Sequence, residues 1–201
     1  MSSKVASVFL GLLWFTCITN GCRCFPKHPQ RIVCERNVAF VGKVTSEVLP
    51  TSVNDFNIEY HFTLLKSIKG IFKPVGSTII VRVPSLGSLC GYKLTVGEQY
   101  VLTGTKNNQG ITSTTCGDFH YKVCDLTFQM VIYLFTNGQY SYKNNCSCKE
   151  IINPRHEPGI FDESKGCKLP AELNADTDCY DKTGLCKRHG TVCKWKNVVC
   201  P

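Results

Sequence analysis

Cysteine placement constrains this chain more than any other feature. The sequence holds 14 cysteines, and all but Cys17 follow an apolar leader. They are Cys22, Cys24, Cys34, Cys90, Cys116, Cys124, Cys146, Cys148, Cys167, Cys179, Cys186, Cys193 and Cys200. The leader opens with Lys4, runs apolar from Val8 to Phe15, and sets Thr19 and Gly21 at the minus-three and minus-one positions of a cut before Cys22. That pattern reads as a secretory signal peptide over residues 1–21. Its apolar run is under half of the roughly 20 residues that cross a bilayer. A second apolar stretch, Val123 to Phe135, is interrupted by Cys124, Asp125, Thr127 and Gln129. The expected mature chain is Cys22 to Pro201, secreted and extracellular, without membrane insertion. In an oxidising space so many cysteines form a disulfide framework. Each bridge contributes roughly 2–4 kcal/mol, mainly by restricting the unfolded chain. A zinc site is the rival reading, but Cys146-Ser-Cys148 has no partner pair at finger spacing, so no metal of the chain's own and no cofactor is expected. The odd count leaves one thiol free, modified or bonded between chains.

Composition divides the mature chain at Cys148. Residues 22–147 carry β-branched and aromatic runs with turn residues between them and are long enough for a core. Expected strands are Asn37–Thr45, Phe56–Ile68, Ser77–Val83, Gln99–Gly104 and Gly110–Thr115, which argue for an all-β barrel or sandwich. The near-helical spacing of Leu126, Met130, Val131 and Leu134 predicts a helix over Asp125–Phe135. Residues 148–201 hold six cysteines in 54 residues and few apolar runs, so this part needs covalent staples. Asn153–Gly166 reads as loop. Cys167, Cys179, Cys186, Cys193 and Cys200 follow at gaps of 12, 7, 7 and 7, read as an irregular knot of bridges whose connectivity spacing cannot give.

Catalytic motifs are missing: there is no His-Glu-x-x-His, Gly-x-Ser-x-Gly, P-loop or dinucleotide fingerprint. Asp118 and His120 lie close in sequence without an obvious nucleophile, so no enzyme is expected. The net charge of +8, one unit of it on Lys4, permits a polyanion partner such as matrix glycosaminoglycan. Yet Lys66, Lys69, Lys73, Lys182, Lys187, Arg188, Lys194 and Lys196 form no compact run and read first as a solvated face. Secretion argues against nucleic acid. Asn145-Cys-Ser147 is the one glycosylation sequon, with Asn145 as its candidate acceptor.

Cys22-Arg-Cys24, Phe25-Pro26-Lys27-His28-Pro29-Gln30 and then Cys34 resemble the mature start of the tissue inhibitors of metalloproteinases. The likeness continues at Val38–Gly42, at Ser88-Leu-Cys-Gly-Tyr-Lys-Leu94, at Tyr100-Val-Leu-Thr-Gly104, at Cys116 and at Cys146-Ser-Cys148, covering roughly Cys22 to Cys148. It implies a mainly β fold: a netrin-like, oligosaccharide-binding-type closed barrel with packed helices at 22–147, then a small disulfide-rich subdomain at 148–201. It implies the bridges Cys22–Cys90, Cys24–Cys116 and Cys34–Cys146, and assigns Cys148 to the second part. The C-terminal cysteine pattern departs from the family, so no pairings are carried over there. Cys124 is extra, and six pairs close without it, which makes it the candidate free thiol.

The same resemblance implies a function. The α-amine and carbonyl of Cys22 would chelate the catalytic zinc of secreted or membrane-bound metalloproteinases, displacing the attacking water. Arg23, Cys24, Phe25, Pro26, Ser88, Leu89 and Cys90 would form the contact ridge. A metal takes the amine deprotonated, and bridges that hold the terminus reduce the ordering cost of binding. Arg23 departs from the small second residue usual in the family. Its long, permanently charged side chain points either to a narrower range of enzymes or to no inhibition at all. The alternative is a non-inhibitory netrin-like module that binds a cell-surface receptor or a matrix polyanion.

Overall fold

Apolar residues at every second position make the longest strand, β2 (Asn57–Lys69), whose Ile58, Tyr60, Phe62 and Leu64 point inward. A period of two puts alternate side chains on opposite faces of a sheet. The computed structural model describes residues 22, 24–52, 55–108, 110–171, 177–196 and 198; the leader expected at 1–21 lies outside them. β1 (Val38–Val48) and β3 (Thr78–Pro84) flank β2 in antiparallel register. β4 (Gln99–Asn107) joins β1 along one edge, from Val38 opposite Gly104 to Lys43 opposite Gln99. Its other edge takes β5 (Gly110–Thr112) and β6 (His120–Lys122). β5 also pairs in parallel with β3, Val81 beside Ile111. The ring β1-β2-β3-β5-β4 thus closes into a five-stranded barrel, and closure removes open sheet edges.

The two faces of β1 serve two cores. Val38, Phe40 and Val44 face the barrel interior with Phe62, Val81 and Leu102. Phe40 and Phe62 meet edge to face at 5.4 Å, and a Cβ on Gly42 would stand 3.0 Å from ring atoms of both. Ala39 and Val41 face outward, under Ile32 and Val33 of α1 (Pro29–Glu35) and Met130, Tyr133 and Leu134 of α2 (Phe128–Phe135). α1 carries Pro29 at its first turn, where a missing N–H breaks no helical bond. The second helix is shorter than the expected Asp125–Phe135. Thr127 caps it by accepting from the Met130 N–H at 3.2 Å, and Val123–Asp125 form a separate 3-10 turn.

The C-terminal part corrects the expectation of an irregular knot. It holds α3 (Thr177–Thr183) and a hairpin of β7 (Leu185–His189) and β8 (Val192–Lys196). Gly190 turns the hairpin at φ 61°, a left-handed angle that costs glycine little. Cys148 bonds Cys193, Cys167 bonds Cys186, and Cys179 is disulfide-bonded as well. Cys148, Cys167, Cys186 and Cys193, with Ile151 and Leu169, form the small core, flanked by Tyr180 and Trp195. Leu185 is fully buried in the cluster under α1 and α2, so the hairpin docks on the barrel. Among the described residues no helix is long and apolar enough to cross a membrane.

Candidate functional site

The segment before α1 is tied down twice, to the loops at the barrel mouth. Cys22 bonds Cys90 and Cys24 bonds Cys116, with Cα atoms 5.1 and 5.2 Å apart. Cys34, inside α1, bonds Cys146 at 5.3 Å. Both mouth bridges end in loops that are themselves joined. The Thr115 N–H donates to the Cys90 carbonyl at 2.8 Å, and Thr115 Oγ1 donates to Gly91 O at 3.3 Å. Cys90 follows a 3-10 turn at Gly87–Leu89 and holds φ 62°, the one left-handed non-glycine among the described residues. Such a conformation costs on the order of 1–3 kcal/mol and persists only where its surroundings fix it. Here the Cys90 N–H donates to Gly87 O and the Gly91 N–H to Leu86 O, both at 3.1 Å. A side chain on Gly91 would place its Cβ 1.9 Å from Pro84 O, so only glycine lets the loop close.

Two short segments therefore share one edge. Cys22, Cys24, Phe25 and Pro26 form the first; Ser88, Leu89 and Cys90 form the second. Phe25 and Leu89 are 59% and 47% exposed, Pro26 and Ser88 are exposed, and the three cysteines are half-buried. Arg23 lies outside the described residues. The sulfurs of Cys22, Cys24, Cys90 and Cys116 fall within 4.8 Å of one another, but all four are in disulfides and carry no thiolate charge to offer a cation.

A groove of about 620 Å³ runs beside this edge, with Phe25 and Pro26 on one side and Tyr121, Asp178 and Asp181 on the other. Burial, then the nearby Asp178 charge, pushes the Asp181 carboxyl up to about 7, against the pull of Lys182. Asp118 and His120, two residues apart, are both engaged. Asp118 pairs with Arg36 at 2.7 Å and accepts from the Thr114 N–H at 2.9 Å. Burial still raises its pKa, opposed by Thr114 and Arg36. His120 stacks on Tyr92 at 4.0 Å, and burial lowers its pKa.

His28 and Gln30 have a role that sequence reading missed. His28 is 2% exposed and caps α1: its Nδ1 accepts from the Gln30 N–H at 3.1 Å. The proton of the neutral ring is then on Nε2, which donates to Tyr180 O at 3.1 Å. Burial brings this imidazole down to about 4. Gln30, fully buried, donates from Nε2 to Asn145 O at 3.1 Å and to Cys186 O at 2.8 Å. The His-Pro-Gln run thus clamps the C-terminal part to the segment that carries the edge. Two isolated polar residues around a proline were the only available signal.

The remaining candidates divide. Asn145, the candidate glycan acceptor, is 6% exposed, and its Nδ2 donates to Gln139 O at 3.0 Å and Ser141 O at 2.8 Å. A glycan replaces one of the two Nδ2 hydrogens, so it would cost at least one of these bonds. Cys124 is an exposed free thiol. Two of the basic residues close helix ends. Lys66 donates to Phe135 O at 3.0 Å, and Lys69 donates to Val33 O and Cys34 O at 2.9 and 3.0 Å, where a cation suits the helix dipole. Lys187 and Lys196 lie over the Tyr140 ring at 5.7 and 4.8 Å.

Known proteins resemble this chain in sequence. The chain is 26% identical over 133 residues to metalloproteinase inhibitor 3 of Scyliorhinus torazame, covering 66% of this chain and 60% of that protein. It is 26% identical over 149 residues to metalloproteinase inhibitor 3 of Xenopus laevis, covering 72% and 64%. The same protein of Gallus gallus is 26% identical over 149 residues, covering 74% and 66%. The chain therefore spans just under two thirds of the length of these relatives. The family profile described as tissue inhibitor of metalloproteinase matches residues 20–195, nearly all of the expected mature chain. The chain belongs to the tissue inhibitor of metalloproteinase family.

Proposed function

We propose that this protein is a secreted inhibitor of zinc metalloproteinases, with residues 22–147 as the inhibitory module and 148–201 as a second subdomain. The leader is removed before Cys22, and the freed α-amine and carbonyl of Cys22 bind the target's catalytic zinc in place of its water. The observation that carries this reading is the double tether: Cys22 to Cys90 and Cys24 to Cys116, on loops joined by the Thr115–Cys90 hydrogen bond. A residue fixed so close to a chain end loses little further freedom on binding. Phe25, Pro26, Ser88 and Leu89 border the cleft, and Arg23 enters the pocket next to the zinc. A polyanion partner would meet the basic residues around Tyr140 instead, a separate surface.

Adding one alanine before Cys22 tests the mechanism. The extended protein is expected to lose inhibition of matrix metalloproteinases while keeping its fold by circular dichroism. Equal inhibition by both forms would exclude amine chelation. Absence of inhibition by the authentic mature form, across matrix and adamalysin-type proteases, would favour the non-inhibitory binding module.

A further inference from the structure

The C-terminal part reaches the edge itself. The His156 ring stacks on Phe25, with centroids 4.9 Å apart and planes 21° from parallel. Phe25 is nevertheless 59% exposed, so one ring face lies on His156 while much of the ring stays open. His156 sits in a turn closed by its own N–H and that of Glu157, both donating to Asn153 O, at 3.0 and 2.8 Å.

A chain of charges locks that turn in place. Arg31 of α1 donates from Nη1 to both Glu157 oxygens at 2.8 Å and to Ile151 O at 3.1 Å. Its Nε donates to Glu35 Oε1 at 2.8 Å, and Glu35 Oε2 accepts from Lys27 at 2.6 Å. Lys27 is two residues from Phe25. Contacts therefore run from Phe25 to His156, to Glu157, to Arg31, to Glu35 and back to Lys27. Hydrogen bonds between ionised partners are roughly twice as strong as neutral ones. The disulfides fix the backbone of Cys22 and Cys24, but neither restrains the Phe25 side chain. The stack on His156 does.

We infer that His156 is a positioning residue of the contact edge: it sets the Phe25 ring against the target, so the C-terminal part takes part in inhibition directly. This rests on the inhibitor reading above. An aromatic stack contributes about 0.5–1.5 kcal/mol, which corresponds to roughly a two- to twelvefold change in affinity.

The test uses the full mature chain and its His156→Ala and His156→Tyr forms; position 156 is exposed, so neither should disturb folding. Proton NMR reads the stack without any protease: the Phe25 ring signals, shifted by the neighbouring ring current, should move in His156→Ala and stay near their place in His156→Tyr. Inhibition constants against one matrix metalloproteinase should weaken about fivefold in His156→Ala, mainly through faster dissociation, and recover in His156→Tyr. Unmoved Phe25 signals in His156→Ala would overturn the proposal, and so would equal inhibition by all three forms. A visible stack in a wild type that inhibits no protease would bring down the inhibitor reading and this role with it.

Discussion

Gln30 and Cys186 exchange two hydrogen bonds across 156 residues of chain: Gln30 Nε2 donates to the Cys186 carbonyl at 2.8 Å, and the Cys186 N–H donates to Gln30 Oε1 at 2.9 Å. A side-chain amide here takes the place of a β-strand neighbour for β7, at the seam between barrel and hairpin. Replacing Gln30 with Leu keeps the volume and strands the Cys186 N–H and two carbonyls in the interior. Each unsatisfied group costs about 1–3 kcal/mol, so the three together should cost the variant about 3 kcal/mol or more. Chemical denaturation measures the loss, and hydrogen exchange at the Cys186 amide should quicken. An unchanged midpoint with unchanged exchange would show that the clamp carries no stability.

His28 and Asp181 should give opposite responses to acid. His28 titrates near 4 in the folded chain and near 6.5 when unfolded, so the unfolded state binds the proton first. That residue removes stability as pH falls from about 6.5 to 4, up to about 3 kcal/mol. Asp181 titrates near 7 folded and near 3.8 unfolded. Its contribution is fully present below the unfolded value and is lost as pH rises through 7. The Asp181→Asn form should therefore melt higher than wild type at pH 8, with the gap closing toward pH 4. In that background the remaining loss between pH 6.5 and 4 reports His28 together with His120, which burial also holds below 6.5. Melting curves across this range decide both: a constant gap rejects the Asp181 assignment, and a flat acid limb rejects that of His28.

Arg23 should govern selectivity. A charged side chain beside the zinc supplies the repulsive half of a difference in affinities. Arg23→Thr should strengthen inhibition of metalloproteinases with a short specificity pocket more than of those with a long one, because burying an unpaired charge is costly. Inhibition constants of both forms against one enzyme of each kind measure this. Identical ratios would remove Arg23 as the determinant.

The secreted protein should carry no glycan at Asn145. Its mass after expression in glycosylating cells should match the polypeptide, and an N-glycosidase should leave it unchanged. A sugar found at Asn145 would mean that at least one of the Gln139 and Ser141 hydrogen bonds does not form in the native state.

The barrel was legible in the sequence because its strands alternate over long runs; Ile58, Tyr60, Phe62 and Leu64 declare a period of two that no helix would satisfy. Strand ends moved by a few residues, and β4 ran on to Asn107 through lysine and asparagine that read as turn. α1 escaped notice because Pro29–Glu35 is seven residues long, too short to show a helical period. The hairpin β7–β8 was hidden by its cysteines. Cys186 and Cys193 sit seven residues apart on facing strands, yet each bonds elsewhere, to Cys167 and Cys148. Spacing suggested a knot where a turn at Gly190 sets a register. At the site, the residue types of the edge were readable only through resemblance. His28 and Gln30 could not be read at all, because their partners are backbone atoms of Asn145, Tyr180 and Cys186, which only the folded chain brings near.

The spacing of the mouth bridges also sets an order in time. Cys22 and Cys24 are synthesised 68 and 92 residues ahead of Cys90 and Cys116, and Cys34 precedes Cys146 by 112. Cys116 follows β5, the strand that closes the ring. Cys22 and Cys24 are therefore made early and tethered late, and on the secretory reading proposed above they wait in an oxidising space. Until then their nearest thiols are each other and Cys34, and any bond among these must be undone by thiol–disulfide exchange before the edge can assemble. A half-made or unclosed chain leaves Cys22 without its tether, so the edge made by Cys22–Cys90 and Cys24–Cys116 is completed only with the closing of the barrel.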